Sequence, residues 1–185
     1  MVNIRPIDAC GHLDPALAIY LMVSMTKRCN MRCPGCYYLQ QEETFFKNQD
    51  IDLDDARAIV KYYHDAGVRQ AVPNAEGDVL LHTGYTALIE YIRSLGFRFR
   101  PRLVTNGIRL RDVAEFVVHN IGEVLISVDV STHKKYNEHR GGNKALYLKV
   151  MEGIRSVVEA GKRCRPRPEI IINGVNILLP SVYRK

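Results

Sequence analysis

The chain has 185 residues, 46% of them hydrophobic, with 26 Lys and Arg against 20 Asp and Glu for a formal net charge of +6. That is enough apolar material for one substantial core, so a single soluble domain over residues 1–185 is expected. The longest apolar stretch, Ala16 to Met25, contains Tyr20 and Ser24 and is too short to cross a bilayer; five cysteines and no secretory signal argue against a disulfide framework and for a reducing cytoplasm.

A first strand is expected over Ile19 to Met25, followed by Cys29-Asn30-Met31-Arg32-Cys33-Pro34-Gly35-Cys36. Three thiolates at this spacing match three corners of a [4Fe–4S] cube, with Pro34 and Gly35 supplying the turn that lets the sulfurs converge. Closely spaced cysteines also hold zinc, and Cys10, His12, His64 and Cys164 are donors for a fourth position, but none lies in a second paired motif. Spacing alone therefore leaves cluster and zinc both open, with the cluster favoured.

Asp52 or Asp54 is expected to cap a first helix whose Ala56, Ile59, Val60 and Tyr63 share a face, and Gly67 stops it. A strand at Val68 to Pro73 then leads into Asn74-Ala75-Glu76-Gly77-Asp78. A second helix ends at Gly96, before a strand at Arg102 to Thr105 and the turn Thr105-Asn106-Gly107. A third helix ends at Gly122, before a strand from Glu123 to Asp129. The last helix carries Leu146, Val150, Ile154 and Val157 on one face and stops at Gly161, and a fifth strand runs from Glu169 to Ile177 with Asn173 and Asn176.

This βαβαβαβαβ order predicts a parallel sheet covered by helices, either an open doubly wound sheet or part of a barrel. Val124-Leu125-Ile126 and Ile170-Ile171-Ile172 are continuous apolar runs of the kind buried on both faces. The chain stops after the fifth strand without a helix to cover it, so a longer natural protein is expected. In such folds ligands gather at the carboxyl ends of the strands, where every loop here carries polar residues. Two basic clusters, Arg98-Arg100-Arg102 and Lys162-Arg163-Arg165-Arg167, precede strands and so belong at the opposite rim, as a solvated face or a docking surface for an acidic electron-transfer protein. Arg109 and Arg111 follow the third strand and are expected on the reactive side, where they would meet a carboxylate or phosphate. Cys10, Cys164, His12, His64, His82, His119, His133 and His139 show no ligand spacing and are read as bystanders.

Several segments together resemble the radical S-adenosylmethionine superfamily. Cys29-x-x-x-Cys33-x-x-Cys36 is similar to its cluster motif. Ala75-Glu76-Gly77-Asp78-Val79-Leu80-Leu81-His82 resembles its second-strand motif, with Ala75, Asp78 and Val79 departing from the usual glycine, glutamate and proline. Leu103-Val104-Thr105-Asn106-Gly107 and Ile126-Ser127-Val128-Asp129, with the stretch through Arg140-Gly141, resemble its third- and fourth-strand regions.

The resemblance implies a partial (β/α)6 barrel, here truncated after the fifth strand, with Cys29, Cys33 and Cys36 on three irons of a [4Fe–4S] cluster and S-adenosylmethionine on the fourth. Ala75, Glu76, Gly77 and Asp78 would lie against the methionyl amine. Asn106, Ser127, Asp129 and Arg140 would contact the ribose or carboxylate. At the adenine, Gly35 stands where the family has an aromatic, and Tyr37 would cover the ring instead. It further implies a flavodoxin or ferredoxin as electron donor, reductive cleavage of the cofactor to a 5′-deoxyadenosyl radical, and hydrogen abstraction from a peptide or small-molecule substrate, with no nucleic acid or membrane involved. A non-catalytic α/β domain with a structural zinc or iron–sulfur site is the alternative.

Overall fold

The computed structural model describes residues 20–40, 50–130 and 132–173, so Cys10, His12, Asn176 and the end of the predicted fifth strand lie outside the described residues. Five strands alternate with helices: β1 (Leu21–Ser24), α1 (Leu53–Asp65), β2 (Ala71–Asn74), α2 (Tyr85–Leu95), β3 (Arg102–Thr105), α3 (Ala114–Asn120), β4 (Glu123–Ser127), α4 (His133–Arg140), α5 (Lys144–Lys162) and β5 (Glu169–Asn173). All ladders are parallel. Among the described residues the sheet is open rather than closed into a barrel.

The sheet falls into two ladders, β1-β2 and β3-β4-β5. β2 lies beside β3 but shares no ladder with it. Side chains stitch this seam. At the amino end Gln70 Nε2 donates to the Arg100 carbonyl at 2.8 Å, beside a backbone bond from Phe99 to Arg69. At the carboxyl end the bridge is Asp78, which accepts from Thr105 Oγ1 at 2.8 Å and from the Asn106 N–H at 2.7 Å.

Helices cover one face of the sheet because their apolar stripes point inward: Ala56 and Val60 on α1, Leu88, Ile89 and Ile92 on α2, Val117 and Val118 on α3, and Val150, Ile154 and Val157 on α5 are all buried. Ile59 is 37% exposed and so falls off the stripe expected for it. Burial alternates along β3 and β4, whereas Ala71, Val72 and Pro73 of β2 are buried in a continuous run. In β4, Val124 and Ile126 are fully buried under the helices, whereas Leu125 is only partly buried on the other face. Ile172 on β5 is 56% exposed, because β5 is the edge strand of the described sheet.

Asp52 is the cap of α1, accepting from Asp54 N at 2.8 Å. Gly96 ends α2 in the left-handed conformation. Gly161 is not a stop: it lies inside α5, buried against Val118. The extra helix α4 has only Tyr136 buried, so it carries no apolar period, and it ends at Gly141 with φ +63°.

Candidate functional site

The cysteine loop leaves β1 through Thr26 and Arg28, a tie that sequence reading missed. Thr26 Oγ1 donates to Asp50 at 2.6 Å and accepts the Arg28 N–H at 3.0 Å, while the Arg28 guanidinium spans Asp50 and the Leu81 carbonyl. Two glycines press on the loop from either side. A Cβ at Gly77 would lie 1.8 Å from the Arg28 carbonyl oxygen, and one at Gly141 would lie 2.2 Å from that of Arg32. Asp78 N–H donates to the same Arg28 carbonyl at 2.8 Å. Met31, 3% exposed, fills the space beneath the loop and accepts the Tyr136 hydroxyl at 3.8 Å.

Within this frame Cys29, Cys33 and Cys36 line one cavity of about 300 Å³ at the carboxyl ends of the strands, together with Gly35, Tyr37, Ala75, Glu76, Gly77, Asn106, Ser127 and Arg140. Met31, Tyr38, Asn74, Val104 and Thr105, which sequence reading did not assign to the ligand, complete the wall. Asn74 and Ser127 end β2 and β4, and Val104 and Thr105 end β3, so strand periodicity carries that signal.

Two expected site residues stand behind the wall. Asp78 is 3% exposed, and its carboxylate is spent on Leu80 N, Thr105 Oγ1 and Asn106 N. Burial nevertheless holds its pKa above the ordinary carboxylate value, outweighing those donors. Asp129 has φ +68°, and its carboxylate meets Arg140 at 3.0 Å with the two side chains 2% and 13% exposed. It aims Arg140 rather than lining the cavity.

Of the residues in the wall, Glu76 accepts a hydrogen bond from Ser24 Oγ. Asn106 is pinned on both amide atoms: Oδ1 accepts the Ile108 N–H at 3.0 Å, and Nδ2 donates to Asn30 at 2.8 Å while lying 3.9 Å from Cys29 Sγ. Arg140 Nε is buried with no protein acceptor among the described residues.

Arg109 and Arg111 do not line this cavity. Arg111 pairs with Glu152 of α5 at 2.6 Å, and Arg109 lies near Asp112 and the Leu80 carbonyl. His82 is a structural tie: its ring nitrogens reach the Ile51 carbonyl and the Gly84 N–H, both at 3.0 Å.

The donor set fits a thiolate-bound cluster. All three cysteines are free. Burial pushes the Cys29 and Cys33 thiols up, and each is raised further by its neighbouring thiolates, so ionising the set together calls for a compensating cationic group.

A loop of three thiols at the carboxyl rim of a parallel α/β sheet, opening on a cavity with a carboxylate and a guanidinium, defines a cluster-binding α/β protein. The radical SAM superfamily model matches residues 23–176, and the chain belongs to that superfamily, whose members use a [4Fe–4S] cluster and S-adenosylmethionine. Among curated proteins it is 29% identical over 143 residues to the GTP 3',8-cyclase of Mannheimia succiniciproducens, covering 77% of this chain and 42% of that protein. It is 26% identical over 162 residues to the GTP 3',8-cyclase of Aeromonas hydrophila, covering 85% and 46%. The chain thus spans less than half the length of these relatives. Streptococcus suis SuiB bound to S-adenosylmethionine shares the fold, with a TM-score of 0.66 and 16% identity, covering 86% of this chain and 34% of that one. No helix among the described residues is long and apolar enough to cross a membrane.

Proposed function

We propose that this chain is the catalytic core of a radical SAM enzyme acting on a small organic substrate, with Cys29, Cys33 and Cys36 holding the cluster. The carrying observation is that the three thiols share one cavity wall with Glu76, Asn106, Ser127 and Arg140. A [4Fe–4S] cluster held by Cys29, Cys33 and Cys36 would supply the one-electron reduction of S-adenosylmethionine on which hydrogen abstraction from the substrate would depend.

The chain's own residues bind, orient and shield. Glu76, oriented by Ser24, offers a carboxylate to the methionyl amine, and Ala75 and Gly77 offer backbone beside it. Arg140, fixed by Asp129, presents its unpartnered Nε–H to the carboxylate, a charge-assisted contact. Ser127 offers a hydroxyl to the ribose, and Gly35 with Tyr37 flanks the adenine. Asn106 directs an amide N–H toward Cys29 Sγ, and hydrogen bonding to a cluster sulfur tunes its potential. Asp78 holds Asn106 in place from behind the wall. Tyr38 and Val104 help to keep water from a reactive centre. The GTP 3',8-cyclase relatives support a small-molecule substrate, a nucleotide first, over a peptide. A small electron-transfer protein of the flavodoxin or ferredoxin class is the reductant this reading assigns.

The test is anaerobic reconstitution with iron and sulfide, reduction by dithionite, and chromatography for 5′-deoxyadenosine. A brown protein that forms 5′-deoxyadenosine, with Cys33→Ala losing both, is expected. Stoichiometric zinc with no cleavage would sink the reading in favour of a structural metal site.

A further inference from the structure

The two basic clusters meet at the amino-terminal end of the sheet, away from the cysteine loop, around a second cavity of about 480 Å³, a volume typical of small-molecule sites. Arg93, Arg100, Arg163 and Arg165 contribute to its wall, and no carboxylate does. Arg98, Arg102, Lys162 and Arg167, which sequence reading grouped with them, are not part of it; Arg102 is taken by Glu123 and Lys162 by Glu159.

The arginines of this cavity are poorly neutralised. Arg163 reaches Glu115, but among the described residues Arg93, Arg100 and Arg165 are bonded only to backbone carbonyls: Arg93 to His119, Arg100 to Val118 and Pro166, and Arg165 to Lys162 and Cys164. Arg100 Nε is buried and has no acceptor among the described residues. Burial and the neighbouring Arg93 charge both press the Arg100 guanidinium below its ordinary pKa. A protein that crowds cations against an apolar floor without counter-charges leaves that electrostatic cost for a ligand to offset. The floor is supplied by Phe97, Phe99 and Val118, with Phe99 44% exposed. At the edge, Cys164 Sγ lies 3.5 Å from His119 Nε2, whose other ring nitrogen is 2.7 Å from the Glu115 carbonyl.

We propose that this cavity binds a phosphorylated small molecule, its phosphate gripped by Arg100 and Arg165 and its apolar body laid on Phe97 and Phe99. Planar guanidinium forks match phosphate oxygens bidentately. A concave site of this size suits a compact oxyanion better than the broad face of an acidic protein. The site is independent of the cysteine cavity and of the reaction assigned to it.

Calorimetric titration of the 185-residue chain with inorganic pyrophosphate tests the proposal. Saturable one-site binding is expected, weakened about tenfold by Arg100→Gln and by Arg165→Gln, each of which loses a charge-assisted contact. Arg165 is exposed and bonded only to carbonyls, so its variant folds and keeps the test decisive if Arg100→Gln does not. Arg111→Gln, at a guanidinium that lies outside this cavity and is paired with Glu152, should leave the affinity unchanged. Pyrophosphate should also slow alkylation of Cys164, read by peptide mapping, about fivefold as the cavity fills. Equal losses in all three variants, or heat that never saturates, would show only general attraction to a basic chain and overturn the site. Citrate binding as tightly as pyrophosphate would overturn the phosphate assignment, as would capture of an acidic flavodoxin through Arg165 without any pyrophosphate binding.

Discussion

Replacing Asp78 by Asn keeps the shape of the side chain and removes its charge. The carboxylate takes the Leu80 N–H on one oxygen and both Thr105 Oγ1–H and Asn106 N–H on the other. An amide satisfies one side only, so whichever way it flips at least one buried backbone donor faces an NH2 group, at a cost of about 1–3 kcal/mol. Against this stands the removal of a desolvated charge, because burial holds the Asp78 pKa above the ordinary 3.8. The sign follows from that direction. As pH rises, the unfolded chain releases this proton first, so stability present below the unfolded pKa is lost as pH climbs through the folded one. Urea unfolding of wild type should therefore show a contribution falling between about pH 4 and the higher folded value, and Asp78→Asn should lack it. At pH 4 the acid and the amide are both neutral and each presents one fully accepting oxygen, so the two proteins should be about equally stable, and the variant should gain on wild type as pH rises. An unchanged pH slope would refute Asp78 as a buried, charge-strained tie.

Three further outcomes follow from the same geometry. Gly77→Ala drives a Cβ into the Arg28 carbonyl, so the cysteine loop must move; we expect a loss of about 1–3 kcal/mol in unfolding free energy and reduced iron per chain after reconstitution. Arg140→Ala removes the guanidinium that meets the Asp129 carboxylate, and the melting temperature should fall by an amount matching about 1–3 kcal/mol, whereas Arg140→Lys should recover part of it. Glu76→Gln should weaken S-adenosylmethionine binding about tenfold in equilibrium dialysis while iron content stays at the wild-type level; equal binding would remove Glu76 from the amine.

The strands and the rim were legible in the sequence because they depend on local signals. Apolar runs bounded by turn residues marked β3 and β4, and the cysteine spacing marked the loop. What escaped depends on contacts distant in sequence. Helix α4 has one buried residue and therefore no hydrophobic period to read. Residues 75–78 were read as one strip along a ligand, yet the bend there sends Glu76 into the cavity and Asp78 behind it. Gly161 has the composition of a helix stop but sits within α5 against Val118. Cys164 and His119 looked unrelated because 45 positions separate them, and only the packing of α3 on α5 brings them to 3.5 Å.

The seam between β2 and β3 gives the molecule a built-in compliance. The cysteines and Glu76 ride with one ladder, Asn106 and Ser127 with the other, and the cavity straddles the line between them. Rocking one half against the other would change the width of that cavity without breaking a single ladder hydrogen bond; Gln70 and Asp78, with the Phe99–Arg69 and Asn106–Asn30 bonds, are the springs that resist it. Hydrogen exchange at Asn106 N–H, bonded only across the seam, reads that stiffness directly: it should quicken in Asp78→Asn while the β4–β5 amides keep their protection.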